Sequence, residues 1–278
     1  MKLFILSKGR SKTICTHKYL PEGQYKIVLH NKGEKKDYLK NSSVPPESII
    51  VSDQPYNLPK QRNFVKFELA KKETWYGCFD DNIHGFQVHP EPFYSMDKIE
   101  QNIIGEDRKK LQKNILTFSK IEKKIEFMIR KAEKIDTGFI GLAKSSNYFF
   151  RKDKWKTINI VCHKACFIKQ NEIRYDERIV NLQDKHYSAE CLLKYGKILM
   201  NNFIYPVAEH NQAGGLGTLK ERIKDKIEGV KLLMKMYPGL FKYYTYPNCP
   251  PQSDIKLKIF SEKKINEWRE KMKEIKNG

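Results

Sequence analysis

The sequence predicts an α/β fold, with a mostly parallel β-sheet flanked by helices. Short apolar runs alternate with amphipathic segments at intervals of roughly 20 to 25 residues, the alternation typical of strand–helix–strand units. The apolar runs are nearly continuous, as expected for strands that are buried on both faces. The chain has 278 residues and 40% hydrophobic content, which is enough to bury one substantial core.

The first half of the sheet follows directly from this alternation. Apolar runs that end at polar turns predict strands at 3–6, 25–30, 49–52 and 75–79. Short intervening helices are predicted at 11–20 and 35–41, and apolar residues at helical spacing predict a third at 58–70. This order predicts a doubly wound arrangement in which the strands run parallel.

The second half begins with a change of pattern. Apolar residues three and four positions apart predict one amphipathic helix over 111–132, within a helical insertion at about 95–135. The other face of that helix is basic, which fits either a solvated face over the sheet or an arm that binds DNA. Further strands are predicted at 139–142, 158–162, 165–168, 197–200 and 203–205. Helices are predicted at 184–194, 218–237 and 262–275, with an irregular segment at 243–251.

Composition limits the partners and the compartment. The formal net charge is +20, from 53 Lys and Arg against 33 Asp and Glu. Such a charge favours a polyanionic partner such as nucleic acid, although scattered lysines also fit a general composition bias. The six cysteines include no Cys-x-x-Cys pair, which favours a reducing compartment. No apolar run approaches the ~18 residues of a membrane span. We therefore expect a cytoplasmic protein without a membrane partner.

The most informative motif is an acidic cluster directly after the fourth predicted strand. Asp80, Asp81 and Asn82 follow an apolar run, at a strand end where α/β sheets place their ligands. Three oxygen-bearing side chains can hold a hard divalent cation. Side chains alternate along a strand, so Asp80 and Asn82 would share one side and Asp81 the other. The alternative is a strand that runs into an ordinary turn.

A second motif lies far downstream, where a histidine precedes a glycine-rich loop. A neutral imidazole at His210 can supply a further metal ligand. Gly214, Gly215 and Gly217 allow backbone N–H groups to approach a phosphate closely, next to a helix N-terminus. The alternative is a tight turn before the helix at 218.

Two further residues occupy helix starts. Arg62 can reach a diphosphate or a uracil edge through its planar fork of donors, or can lie on an exposed first turn. Asp184 follows Gln183 in a polar segment, where it can cap the helix or act as a general base toward a hydroxyl group.

Taken together, these motifs resemble the TET/JBP-associated glycosyltransferase family. Members are enzymes of the glycosyltransferase A fold, found in phages and among relatives of the base J glucosyltransferase. The resemblance rests on 5–10, 26–31, 59–63, 75–83, 183–184 and 213–218. It covers 1–85 well and 155–220 more loosely. It implies a catalytic domain at 1–237 and leaves a C-terminal extension at 238–278.

The resemblance implies an activity and a site. The reaction would be metal-dependent transfer of a sugar from a UDP-sugar to 5-hydroxymethylcytosine or 5-hydroxymethyluracil in DNA, with Mn²⁺ or Mg²⁺ as cofactor. Asp184 would be the base, and 80–82 would correspond to the family's Asp-x-Asp metal motif. Because Asn82 stands where the family has Asp, it stays open which of these three side chains meets the metal. The donor would contact Ser7, Arg10, His30, Asn31, Arg62, Asn63, Asp80 and the three loop glycines.

Two other functions fit the same features. The fold could act on a glycan, a protein or a small molecule instead of DNA. Alternatively, the protein could bind nucleic acid with an inactive transferase site. A phage-encoded enzyme of this kind would work in the host cytoplasm.

Overall fold

The computed structural model describes residues 1–88, 115–144, 155–208, 219–245 and 250–277. The strands in these residues are β1 Lys2–Leu6, β2 Tyr25–Leu29, β3 Ile49–Val51, β4 Trp75–Asp80, β5 Ile83–Val88, β6 Phe139–Gly141, β7 Trp155–Lys156, β8 Ala165–Lys169, β9 Leu199–Asn201, β10 Ile204–Ala208, β11 Phe241–Tyr244 and β12 Asp254–Leu257. The α-helices are α1 Lys32–Asn41, α2 Leu58–Phe64, α3 Phe118–Lys134, α4 Gln183–Tyr195, α5 Leu219–Met236 and α6 Glu262–Asn277. A π-helical turn, Val65–Leu69, continues α2, and 3₁₀ turns form at Thr16–Tyr19 and Pro46–Ser48.

The main sheet has eight strands in the order β3-β2-β1-β4-β8-β6-β9-β7. β1, β2, β3 and β4 run parallel, and β6 and β9 share their direction. Only β8 and β7 run the opposite way within this sheet. The predicted α/β fold with a mostly parallel sheet flanked by helices is confirmed.

Alternation along the central strands divides the interior into two cores. In β1, Leu3 and Ile5 belong to one buried cluster, while Phe4 and Leu6 belong to the other. Helix α3 contributes its apolar stripe to the first cluster, and α4, α5 and α6 contribute to the second. The parallel strands are thus covered on both faces, and their carboxyl ends meet at one edge of the sheet.

The long predicted helix begins later than the periodicity indicates. Helix α3 starts at Phe118, so the prediction of helix over 115–117 is wrong. The backbone of Leu116 instead exchanges two hydrogen bonds of 2.8 and 2.9 Å with Phe86 of β5. From Ile121 onward the apolar stripe is buried as predicted. The rest of the proposed insertion, 95–114, lies outside the described residues.

Three other local predictions are wrong. The predicted helix over 11–20 contains only turns and the 3₁₀ turn Thr16–Tyr19. The apolar run 158–162 is buried but is not a strand, because side chains satisfy its backbone: Val161 N–H donates to Ser188 Oγ at 3.0 Å, and Ile160 N–H donates to Asn159 Oδ1 at 2.8 Å. The segment predicted as irregular, 243–251, contains the end of β11, which pairs with β12 in a separate antiparallel sheet.

The C-terminal segment packs into the second core. Phe241, Ile255, Ile265, Trp268 and Met272 are all buried there together with residues of the main sheet. The domain boundary at 237 remains a prediction. Among the described residues, every helix is too short or too polar to cross a lipid bilayer.

Candidate functional site

A cavity of about 230 Å³ opens at the edge of the sheet where β1 and β4 end. It is the place where the carboxyl ends of parallel strands are expected to hold a ligand. The residues that line it are Leu6, Ser7, Lys8, Arg10, Tyr56, Leu58, Gln61, Arg62, Asp80, Asp81, Cys162, His163, Lys164, Asn181, Gln183, Asp184 and Arg222. The structure therefore brings together Ser7, Arg10, Arg62, Asp80, Asp81 and Asp184, all of which the sequence predicts as site residues.

The acidic turn is fixed by the backbone around it. β4 ends at Asp80, whose N–H donates to the carbonyl of Lys164 at 2.8 Å. Thr16 Oγ1 donates to the carbonyl of Asp80 at 2.7 Å and accepts from the N–H of Ile83 at 2.7 Å. One hydroxyl group thus satisfies both ends of the turn between β4 and β5. Asp80 is thereby held at the cavity wall.

Asp81 is occupied within the protein. Its Oδ2 accepts a hydrogen bond from Ser7 Oγ and its Oδ1 accepts from Arg10 Nη1. Ser7 Oγ also lies 2.5 Å from the hydroxyl of Tyr38. Burial raises the pKa of Asp81, against the opposing effects of Arg10 and Ser7. This carboxylate therefore orients Arg10, and Asp80 is the member of the pair whose side chain is more exposed.

The side chain of Asp80 is partly exposed and has a raised pKa. Its side chain is 40% exposed, and one of its oxygens lies 4.0 Å from Nη2 of the buried Arg62. Burial raises the pKa of Asp80 to about 6, and Arg62 opposes that rise. A carboxylate with both properties at a strand end is typical of a functional position.

Four residues that line the same cavity carry buried polar atoms without hydrogen-bond partners. Gln61, Arg62, His163 and Gln183 are all buried and line the cavity. Among the described residues, no hydrogen-bond partner exists for the Gln61 amide, for Arg62 Nε and Nη1, for either ring nitrogen of His163, or for Gln183 Oε1. Leaving a buried polar group unpaired costs about 1–3 kcal/mol, which makes these four residues candidates for contact with a polar ligand.

Asp184 lies in the first turn of α4, which begins at Gln183. The N-cap position is Leu182, so the alternative in which Asp184 caps the helix is wrong. Its Oδ1 accepts a hydrogen bond of 2.9 Å from the N–H of Lys185. Burial raises the pKa of Asp184, while Lys185 and Lys144 act in the opposite direction. A carboxylate of raised pKa at a cavity wall is suited to accept a proton.

The charge of the cavity favours an anion. Five basic side chains line it, against three carboxylates, and Asp81 is already paired with Arg10. Burial and the nearby Arg62 lower the pKa of His163, so this imidazole is neutral at physiological pH. A polar, net cationic cavity of this kind is suited to phosphate groups.

Several predicted site residues lie elsewhere. Asn31 caps α1 by accepting from Glu34 N–H at 2.9 Å, and His30 Nδ1 lies 2.9 Å from a Glu34 oxygen. Neither lines the cavity, although the His30 ring packs edge-on against Tyr56, with 5.4 Å between centroids. Their predicted contacts with the nucleotide remain predictions.

Asn63 and Asn82 also lie outside the lining of the cavity. Asn63 exchanges two hydrogen bonds of 2.9 Å with the backbone of Tyr175, which ties α2 to the segment after β8. Asn82 is buried within the turn that follows β4. The predicted His210, Gly214, Gly215 and Gly217 fall outside the described residues.

Sequence reasoning missed three prominent lining residues. Tyr56 follows β3, and its position after a strand end was the available signal. Lys164 precedes β8, and only the antiparallel pairing of β8 with β4 brings it beside Asp80. Arg222 lies on α5, which follows the glycine-rich loop. Burial raises the pKa of Tyr56 to about 12, so its hydroxyl stays protonated.

The described residues provide only part of a metal site. Within the described ranges, no group of three or more His, Cys, Asp or Glu residues is arranged to hold a metal ion. Asp80 offers one accessible carboxylate, whereas both oxygens of Asp81 accept hydrogen bonds from Ser7 and Arg10. A cation here would need further oxygens from a bound ligand.

The sequence matches no protein-family model and no curated protein. Among solved structures, it is similar to residues 1–349 of TarS from S. aureus, with a TM-score of 0.41 and 8% identity over 84% of this chain. The chain spans 66% of that TarS structure, slightly less than two thirds. It is also similar to A197 from STIV, with a TM-score of 0.32 and 10% identity, covering 76% of this chain and 87% of that one. At these scores, neither likeness identifies a function.

Proposed function

We propose that the protein is a glycosyltransferase whose donor is a nucleoside diphosphate sugar, and that the nucleoside diphosphate is UDP. The observation that carries this proposal is the group of unpaired buried polar atoms on Gln61, Arg62, His163 and Gln183 in a net cationic cavity at the strand ends. A diphosphate supplies several acceptors and negative charge at once. The resemblance of 5–10, 59–63 and 75–83 to DNA glycosyltransferases points to the same ligand.

The donor would be held from both sides of the cavity. Arg62 and Lys164 lie beside Asp80, and Arg222 reaches the cavity from α5, so three cations can surround a diphosphate. Tyr56 offers an aromatic ring on which the base can stack. Lys8 Nζ lies 3.7 Å from the centroid of that ring and places a further cation beside it. If Mn²⁺ or Mg²⁺ takes part, Asp80 and the phosphate oxygens would hold it, and it would stabilise the charge of the leaving group.

The transfer step assigns a role to Asp184. The acceptor hydroxyl oxygen bonds to the anomeric carbon, the bond from that carbon to the diphosphate breaks, and the hydroxyl proton passes to Asp184. The raised pKa of Asp184 makes it a stronger base than an exposed aspartate. Arg62, Lys164 and Arg222 stabilise the negative charge that appears on the departing nucleotide.

The acceptor that we propose is a hydroxymethylated pyrimidine in DNA, as in phage DNA modification. The net charge of +20 supports a polyanionic acceptor, because lysines and arginines dock a phosphate backbone without reading its sequence. The primary hydroxyl of 5-hydroxymethylcytosine or 5-hydroxymethyluracil provides the nucleophile.

One experiment tests the reaction and the acceptor together. The protein is incubated with a panel of nucleotide sugars, Mn²⁺ or Mg²⁺, and DNA that carries either ordinary or hydroxymethylated pyrimidines, and nucleoside masses are read. We expect a hexose adduct only on the hydroxymethylated base. Asp184→Asn should lower the rate by a factor of about 10²–10⁴. The matched control is Asp37→Asn, which alters an exposed aspartate of α1 and should leave the rate unchanged. Donor hydrolysis without a DNA adduct would overturn the acceptor, and full activity of Asp184→Asn would overturn the base.

A further inference from the structure

An exposed phenylalanine of α3 is surrounded by positive charge. Phe127 is 53% exposed, although large aromatic side chains are usually buried. The positions three and four residues before and after it are Lys123, Lys124, Arg130 and Lys131. Residues at this spacing are neighbours on the surface of a helix, so four cations flank one exposed ring.

Two more aromatic rings continue from Phe127 along the edge of the sheet. The centroid of Phe127 lies 6.3 Å from that of Trp155, which lies 6.4 Å from that of Phe203. We call Phe127, Trp155 and Phe203 the aromatic row. Lys131 Nζ lies 5.3 Å from the centroid of Trp155, so the charge reaches the middle of the row.

The chemistry of this surface selects its partner. The core of a protein–protein interface is depleted of charged residues, whereas here all four positions three or four residues from the exposed ring are cations. A neutral glycan could stack on the rings but would leave those cations unused. Single-stranded nucleic acid uses both features, because its bases stack on aromatic side chains and its phosphates pair with Lys and Arg. A duplex hides its base faces inside the stack and cannot use the rings in this way.

We propose that the aromatic row and the basic face of α3 form a binding site for single-stranded nucleic acid. The site is separate from the cavity: β7, which carries Trp155, is four strands from β4 in the sheet, or about 20 Å at a strand spacing of ~4.8 Å. The proposal does not depend on the sugar-transfer reaction. If that reaction takes place on DNA, this surface would hold a single-stranded stretch away from the reacting base.

Tryptophan fluorescence provides a direct test. The chain has three tryptophans, and Trp75 and Trp268 are each only 5% exposed, so quenching by an oligothymidine should come from Trp155. We expect the oligothymidine to quench the wild type and not Trp155→Phe, which keeps an aromatic ring and the fold. No quenching of the wild type, or equal quenching of Trp155→Phe, would overturn the proposal.

Binding of a fluorescein-labelled oligothymidine, followed by anisotropy, tests the other elements. Phe127→Ala should weaken binding about tenfold, in line with the loss of one stacked base. Its control, Phe260→Ala, removes a phenylalanine that is 70% exposed outside the row and should have no effect. The double variant Lys123→Gln/Lys124→Gln should reduce the slope of log affinity against log salt by about 1.4, at ~0.7 per single-strand phosphate. Lys71→Gln/Lys72→Gln has the same change of charge and should leave the slope unchanged.

The controls also separate this proposal from the proposed function. Arg62→Met changes the cavity and should leave oligothymidine binding unchanged. Failure of the nucleotide-binding proposal therefore does not affect the single-strand site, and the reverse also holds. Equal weakening by Phe127→Ala and Phe260→Ala would contradict a stacking site. So would a duplex that the wild type binds as tightly as the oligothymidine and that Phe127→Ala binds equally well. Displacement of the oligothymidine by a neutral oligosaccharide would show that the rings serve a glycan instead.

Discussion

The hydroxyl of Thr16 donates to the backbone carbonyl of Asp80 at 2.7 Å, and it also accepts from the backbone of Ile83 at the same distance. A residue that precedes β2 thus fixes the turn after β4. The acidic side chain at the cavity wall is therefore positioned by a contact between segments 64 residues apart in the sequence.

Replacing this hydroxyl should destabilise the turn. Thr16→Val keeps the shape of the side chain but leaves a buried N–H and a carbonyl unpaired, at a cost of about 2–3 kcal/mol in the free energy of unfolding. Thr16→Ser retains the hydroxyl and should cost less than about 1 kcal/mol. Urea unfolding of both variants measures the difference. Equal stabilities would show that water replaces the threonine hydroxyl.

The pKa of Asp80 predicts a pH-dependent stability. Its folded-state pKa is raised to about 6, so the folded protein binds this proton more tightly than the unfolded chain does. The ionised carboxylate therefore opposes folding, and its effect appears as the pH rises from about 4 to about 6. Over that range the wild type should lose stability relative to Asp80→Asn. Urea unfolding in the presence of a chelator measures this difference. A constant difference across the range would contradict the raised pKa, and Asp37→Asn provides the control for an exposed aspartate.

A buried ion-pair network connects the C-terminal hairpin to the cavity. Asp254 of β12 is buried and pairs with Lys185 and with Lys226, whose Nζ lies 2.7 Å from it. Lys185 follows Asp184 on α4, and Lys226 is one turn after Arg222 on α5. One carboxylate therefore holds together two helices that contribute lining residues to the cavity.

Breaking this network should affect stability and the site together. Asp254→Asn leaves two partly buried lysines without their counter-charge, which we expect to cost about 3 kcal/mol of unfolding free energy. It should also weaken UDP binding, because α4 and α5 lose their common anchor. Glu228→Gln removes an exposed partner of Lys231 on α5 and should change neither quantity. Unfolding and calorimetric titration measure the two effects. Unchanged UDP affinity in Asp254→Asn would restrict the network to a role in folding.

Gly141 lies so close to Val161 in the core that substitutions at the two positions should affect stability jointly. A Cβ atom added at Gly141 would lie 2.5 Å from Val161 Cγ1 and 2.8 Å from Cγ2. Gly141→Ala should therefore destabilise the protein by about 1–3 kcal/mol through overpacking. Val161→Ala removes the obstructing methyl groups, so the double variant should be more stable than the sum of the single changes indicates. Additive effects in unfolding experiments would show that another contact limits Gly141.

The sequence predicts best what local patterns determine. Apolar runs place the polar ends of β1 and β4 at one edge of a parallel sheet, and this brings Ser7 and Asp80 to the cavity. Helical spacing likewise gives the buried stripe of α3 from Ile121 onward. Residues that depend on long-range pairing could not be found in this way. Lys164 reaches the site because β8 runs antiparallel to β4, and Arg222 reaches it from α5.

Structural hydrogen bonds explain why two predicted residues, Asn31 and Asn63, do not line the cavity. Asn31 is used at the N-terminus of α1, where its side chain satisfies a helix N–H. Asn63 is used to tie α2 to the backbone of Tyr175. An amide side chain near a strand or helix end serves such structural roles as well as ligand binding, and composition alone does not distinguish them.

The central claim is that the cavity around Arg62 and Asp80 binds a nucleoside diphosphate, and calorimetric titration with UDP in the presence of Mn²⁺ tests it most directly. We expect the wild type to bind UDP and Arg62→Met to bind at least about tenfold more weakly, a loss of about 1.4 kcal/mol. Lys60→Met removes an exposed cation from the same helix and should bind as the wild type does. Arg62→Met removes unpaired buried donors and also the counter-charge of Asp80, so urea unfolding of the variant must show that the fold persists. A wild type that does not bind UDP, or an Arg62→Met variant that binds it equally well, would contradict the account.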